Sequence, residues 1–118
     1  TAVGGTPVLK QAIIEKFRRE NNLDYKPYEI VVSAGVKQSI FNAFLATIGP
    51  EDEVIIPAPY WVSYLDIVYL AEGKPIIVNC SQEEQFKLSP QALEKNITAH
   101  TKWVILNSPS NPTGAVYT

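Results

Sequence analysis

Leu106-Asn107-Ser108-Pro109-Ser110-Asn111-Pro112-Thr113-Gly114 is the stretch that decides how this chain folds. The apolar run before it, Trp103-Val104-Ile105-Leu106, predicts a buried strand, and the stretch itself is a polar turn containing two prolines. It therefore lies at a strand's carboxyl end, where ligands bind in open α/β sheets. Two other polar turns stand in the same relation to an apolar run. Ser33-Ala34-Gly35-Val36-Lys37 follows Ile30-Val31-Val32, and Pro57-Ala58-Pro59-Tyr60-Trp61 follows Val54-Ile55-Ile56.

Between these turns the pattern alternates. Thr6-Pro7 predicts a helix start, a hydroxyl cap followed by proline where no amide hydrogen is needed. Leu9, Ala12, Ile13 and Phe17 share a helical face, and Asn21-Asn22 marks the end. Ile30-Val31-Val32 predicts a short buried strand. Val36, Ile40, Phe41, Phe44, Leu45 and Ile48 predict an amphipathic helix stopped by Gly49-Pro50. Then follow a strand at Val54-Ile55-Ile56, a helix over 62–70 and a strand at Ile76-Ile77-Val78. Ser89-Pro90 opens a helix through Leu93 and Ile97, and 103–106 is the last strand. Apolar strands alternating with helices predict the α/β class: a three-layer αβα arrangement around a mainly parallel sheet. Gln82 to Gln85 reads as a polar surface loop, and no repeat, low-complexity tract or interdomain linker stands out.

Bulk properties narrow the function. A chain of 118 residues is one domain at most. A net charge of −2 gives no electrostatic case for nucleic acid or an acidic membrane surface. The lone Cys80 excludes an internal disulfide and fits a reducing, cytoplasmic setting. With His100 the only histidine, a Cys/His metal site is not expected. No apolar run approaches membrane-spanning length and the start carries no signal-peptide pattern. The abrupt ends, Thr1-Ala2-Val3 and Tyr117-Thr118, read as interior sequence of a longer protein.

Each turn admits a plain reading beside a chemical one. Gly35 and Val36 stand at a strand–turn–helix junction, where unpaired amides and the positive end of the helix dipole suit a phosphate. Ser33 and Gly35 serve equally as cap and turn glycine. The junction matches neither a nucleotide P-loop nor the Rossmann glycine fingerprint. Trp61 could cover a planar ligand just beyond a strand end, or pack in the core. Tyr60 and Tyr64 could line a pocket or a helix face, whereas Trp103 occupies a strand position. Asn111 offers an amide donor and acceptor in a rigid turn, and asparagine is also an ordinary turn residue; Asn107 and Ser108 share that ambiguity. His100 and the Glu51-Asp52-Glu53 run read as solvated surface, and Cys80 has no adjacent cation to lower its pKa.

Taken together, Gly-Thr-Pro-x-Leu-Lys, Ser-x-Gly-x-Lys-Gln, Gly-Pro-x-Asp-Glu-Val-Ile, Pro-Tyr-Trp-Val-Ser-Tyr and Asn-Ser-Pro-x-Asn-Pro-Thr-Gly run through essentially the whole chain. This series resembles the class I pyridoxal-phosphate (PLP) aminotransferases, most closely their bacterial aspartate aminotransferase branch. The resemblance implies that residues 1–118 belong to the large, PLP-binding domain, with no second domain in this chain. It implies that the backbone around Gly35 and Val36 binds the cofactor phosphate, Trp61 stacks on the pyridine ring and Asn111 hydrogen-bonds the ring's phenolic oxygen. Lys37 would lie near the side-chain carboxylate of a dicarboxylic substrate, with a phosphate-side role also open. The Ala58–Pro59 and Asn111–Pro112 bonds would be cis. Leu65 departs from the proline usual after Val-Ser-Tyr, which bears on the helix start and not on chemistry.

The implied reaction moves an amino group between L-aspartate and 2-oxoglutarate, in a homodimeric parent with amino acid and 2-oxo acid substrates. Other class I aminotransferases, acting on prephenate, aromatic or neutral amino acids, remain alternatives, as does a non-catalytic, aminotransferase-like binding module. The family's Schiff-base lysine lies in a Ser-x-Ser-Lys segment, and no lysine here has that context. The chain alone is therefore expected to be inactive. The family's later strands insert between the first and last strands here, so exposed edges in the isolated chain are expected to drive self-association.

Overall fold

The computed structural model describes residues 2–117, in two compact units that divide between residues 40 and 41.

In the first unit, α1 spans Pro7–Asn21 with Thr6 as its cap, Oγ1 accepting from the Leu9 N–H at 3.4 Å. It stops at Asn22, which takes the left-handed conformation (φ 55°) and donates its N–H to the Phe17 carbonyl. Asparagine tolerates that conformation better than most residues. The buried member of α1 is Ile14, whereas Leu9 and Ala12 are exposed, which corrects the predicted face. At about 100° per residue Ile13, Phe17 and Ile14 form one arc, with Ala12 on the far side. A 3₁₀ turn follows at Pro27–Glu29, closed by the Lys26 N–H donating to the Glu29 carboxylate at 2.8 Å.

The expected strand at Ile30-Val31-Val32 is not formed. Ile30 is extended (φ −110°, ψ 127°), Val32 donates to the Gly4 carbonyl at 3.0 Å, and Val31 is 72% exposed. A β-branched run favours extended backbone, but a strand needs a ladder partner. The described residues of this unit contain no other strand to supply one.

Helix α2, Val36–Thr47, carries Phe44 as its buried residue, with Ile48 buried just beyond and Gly49-Pro50 ending the run. Val36 and Leu45, predicted for the same face, are exposed. Phe44 and Ile48 lie one turn apart, and the covered row is narrower than the apolar pattern.

The second unit is built on a parallel sheet of three strands: β1 (Glu53–Ala58), β2 (Lys74–Asn79) and β3 (Thr101–Val104), in the order β2-β1-β3. Parallel neighbours require crossovers. Helix α3 (Ser63–Leu70) links β1 to β2, and α4 (Pro90–Asn96) links β2 to β3. Central β1 buries Val54, Ile55 and Ile56 completely, as expected of a strand covered on both faces. Ile55 packs with Val78, Cys80 and Leu88, joined by Leu93 of α4 and Val104 of β3. On the opposite face Trp103 pairs in register with Val54 and meets the Phe44 ring at 5.2 Å. Its Nε1–H donates to Thr47 Oγ1 at 3.0 Å, so Trp103 is a structural residue.

Several boundaries differ from the sequence pattern: β1 and β2 run beyond 54–56 and 76–78, so Pro57 and Ala58 belong to β1 and not to the turn, and α3 starts at Ser63. Strand β3 covers 101–104 and not 103–106. Ile105 still donates to the Ile55 carbonyl at 3.0 Å, but Leu106 is 63% exposed. The register on β1 begins at Thr101, opposite Glu53, so the apolar run marks burial and not ladder length. Helix α4 ends at Asn96, with Ile97 extended behind it and its N–H shared by the Leu93 and Glu94 carbonyls.

Candidate active site

The carboxyl ends of β1 and β3 open into two turns. After β1 the Ala58–Pro59 bond is cis, as expected. The chain then presents Tyr60 and Trp61 before entering α3. Trp61 is half-buried. Its carbonyl accepts the Tyr64 N–H at 3.0 Å, and its ring meets the Tyr64 ring edge-on, with centroids 5.4 Å apart and planes at 85°.

The turn after β3 is held by its own polar groups. Asn107 Oδ1 accepts the Asn111 N–H at 2.8 Å, the side-chain turn chemistry for which asparagine is suited. Ser110 donates to the Ala115 carbonyl and Gly114 to the Ser110 carbonyl, both at 2.8 Å, with Gly114 at φ 73°. Ser108 Oγ accepts the Tyr117 N–H at 3.0 Å. Asn111–Pro112 is cis as expected, and Ser108–Pro109, for which no expectation existed, is cis as well.

The two turns meet around one small pocket, lined by Pro59, Tyr60 and Tyr64 from one side and Asn107, Ser110 and Asn111 from the other. Asn111 thus reaches the pocket itself. Trp61 stands beside it, in contact with the lining Tyr64. Phe86 and Tyr117 also line the pocket. Neither is singled out by sequence. Tyr117 accepts the Leu88 N–H at 2.8 Å across 29 residues, a long-range bond with no local signal.

Gly35, Val36 and Lys37 lie in the first unit, at the start of α2. Gly35 has φ 89° and donates to the Ser33 carbonyl at 2.8 Å. An added Cβ there would meet nothing within 4 Å, so the requirement for glycine is conformational. Val36 and Lys37 are exposed in the first turn, where amides have no intrahelical acceptor. Gln38, the last residue of the Ser-x-Gly-x-Lys-Gln motif, has a role the motif does not assign: its Oε1 accepts the Ala34 N–H at 2.6 Å. A glutamine in the first turn of a helix, able to reach back to an amide just before it, is a recognisable signal for that bond.

The remaining polar candidates have structural roles. Glu51 pairs with Lys74, Asp52 accepts the Gly49 N–H at 3.0 Å, and Glu53 accepts from the Thr98 hydroxyl at 2.6 Å. His100 is exposed. Among the described residues no cluster of His, Cys, Asp or Glu could hold a metal ion.

Burial raises the pKa of the Tyr64 hydroxyl. It also raises that of the Cys80 thiol, helped by the charge of Glu84. Both groups hold their proton more tightly folded than unfolded. Their stabilising contribution is complete below their ordinary values of 9.0 (Cys80) and 10.0 (Tyr64) and is lost as pH climbs through the raised values. Chemical unfolding at stepped pH is expected to show stability falling above about pH 9. The variant pair Cys80→Ala and Tyr64→Phe should flatten that fall.

Comparison with known proteins shows the family. The family model described as aminotransferase class I and II matches residues 1–118. The chain belongs to that family. It is 65% identical over 117 residues to the aspartate/prephenate aminotransferase of Nitrosomonas europaea, covering 99% of this chain and 30% of that protein. The crystal structure of the aspartate aminotransferase from Rhizobium meliloti superposes with a TM-score of 0.98 at 56% identity, covering 100% of this chain and 30% of that one. The aspartate aminotransferase from Thermus thermophilus with maleate gives a TM-score of 0.97 at 47% identity, covering 100% and 31%. The α/β fold expected from sequence is that of these enzymes, as part of their large domain. The chain spans about 30% of the length of the relatives it matches.

Proposed function

We propose that the protein carrying this chain is a PLP-dependent aminotransferase that moves an amino group between L-aspartate and 2-oxoglutarate. The observation that carries this reading is the meeting of the β1 and β3 turns around one pocket, with Asn111 in its wall and Trp61 beside it.

PLP asks a protein for donors to its phosphate, a flat apolar surface for its ring and a hydrogen bond to its phenolic oxygen. The donor set fits. Gly35, Val36 and Lys37 supply main-chain amides at the positive end of α2. Trp61 supplies the surface and Asn111 a side-chain amide. When bound, the cofactor would draw electrons from the substrate's α-carbon as its proton leaves. Lys37 supplies positive charge for a second carboxylate, favouring dicarboxylic substrates over neutral ones. Maleate, present with one solved relative, is a dicarboxylate.

A second reading takes prephenate as an amino acceptor, favoured by the double name of the Nitrosomonas relative. Prephenate also carries two carboxylates, so the same role for Lys37 serves both. The full enzyme is read as a cytoplasmic homodimer. No described helix is long and apolar enough to cross a membrane. The residues of this chain are read as part of its PLP-binding domain. The isolated chain, with β2 and β3 both at sheet edges, is expected to self-associate and to show no transamination.

The amine form of the cofactor, pyridoxamine phosphate, bonds to no lysine and so reports the non-covalent contacts. In the full enzyme, Asn111→Ala is expected to weaken its binding about fivefold to tenfold, the worth of one hydrogen bond. Titration calorimetry measures this, and an unchanged affinity would remove Asn111 from the site.

A further inference from the structure

Tyr64 is a core residue that also faces a pocket. It stands in the first turn of α3 and is only 7% exposed, yet it lines the pocket between the β1 and β3 turns. Its ring plane stands at 85° to that of Trp61, and its N–H donates to the Trp61 carbonyl. Trp61 itself precedes α3 and follows two prolines, Pro57 and Pro59. Its main chain is therefore held from both sides, and the attitude of its indole depends on what the ring touches. Tyr64 is well fixed to do this, because Ile67 and Val68 bury the same helix with 4% and 0% exposure. Edge-to-face aromatic pairs are directional, so the contact sets an angle as well as a distance.

We propose that Tyr64 is a positioning residue for Trp61: its buried ring fixes the plane that the indole offers to a flat cofactor. This rests on the proposed cofactor reading and extends it to a side chain that need not touch the cofactor. The hydroxyl keeps its proton at neutral pH, since burial holds its pKa up, so the ring stays neutral beside the pocket.

The test is a double-mutant cycle in the full enzyme, read by pyridoxamine phosphate affinity and by the circular dichroism induced in the bound cofactor's absorption band. Tyr64→Leu removes the ring edge and is expected to weaken binding about threefold to tenfold and to change the induced dichroism. Tyr64→Phe keeps the edge and should restore both. In a Trp61→Leu background, Tyr64→Leu should cost no further affinity, because the residue it positions is gone. Equal losses in both backgrounds, or an unchanged dichroic band in Tyr64→Leu, would overturn the proposal. Thermal melting of each variant separates these results from misfolding. If Tyr64→Leu melts below the assay temperature, Tyr64→Met takes its place in the cycle. Should the parent enzyme bind no pyridoxamine phosphate at all, it is the cofactor reading that fails.

Discussion

Ile55→Ala is expected to remove about 2–5 kcal/mol of stability, the range for truncating a large aliphatic side chain in a core that cannot collapse around the void. Ile55 has no exposed surface and sits in the middle strand of the sheet. It packs with Val78, Cys80 and Leu88 on one face, and its main chain is bonded on both sides by β2 and β3. Both neighbouring strands fix its surroundings, so the cavity would stay open. Domains are stable by only about 5–15 kcal/mol, so a loss of this size consumes much of the margin. Ile77→Ala supplies the comparison. Ile77 lies on edge strand β2 and is 39% exposed. Its truncation should cost clearly less. Urea unfolding of both variants measures the difference, and equal midpoints would contradict the placement of β1 at the centre of the sheet.

In the full enzyme, Lys37→Met is expected to lower kcat/KM for aspartate by about tenfold to a hundredfold, while a neutral amino acid is little affected or improved. A hydrogen bond to a charged group is worth about 1.5–3 kcal/mol, which sets that scale. Lys37 stands exposed in the first turn of α2, next to Gly35. Methionine keeps most of the unbranched apolar stem but removes the charge, and both residues suit a helix. The discriminating readout is the ratio between substrates and not the absolute rate. A parallel fall for dicarboxylic and neutral substrates would assign Lys37 to the phosphate side. Prephenate should follow aspartate, since it too carries a second carboxylate.

Much of this architecture is written locally. The Thr6-Pro7 and Ser89-Pro90 starts became the caps of α1 and α4, with both hydroxyls accepting main-chain N–H groups. Val54-Ile55-Ile56, apolar without alternation, became the fully buried centre of the sheet. What failed was non-local. Ile30-Val31-Val32 has the composition of a strand, but composition cannot supply a neighbour to bond with. The face of α1 was misplaced because Leu9, Ala12 and Ile14 are all apolar, and packing decides between them.

The site divides in the same way. Asn111 in a polar turn at a strand's end and Gly35 at positive φ follow from turn chemistry. The edge contact that holds Trp61 could have been read from the three-residue spacing to Tyr64 at a helix start. Phe86 and Tyr117 could not, since they reach the pocket through tertiary packing.

The most direct test of the central claim is an assay of transamination from L-aspartate to 2-oxoglutarate with added PLP. It should be run on the full enzyme containing this segment and, separately, on the 118-residue chain. Oxaloacetate formation by the full enzyme and none by the chain is the expected result. A full enzyme that binds PLP but transfers no amino group from aspartate, either to 2-oxoglutarate or to prephenate, would contradict it, and so would turnover by the isolated chain.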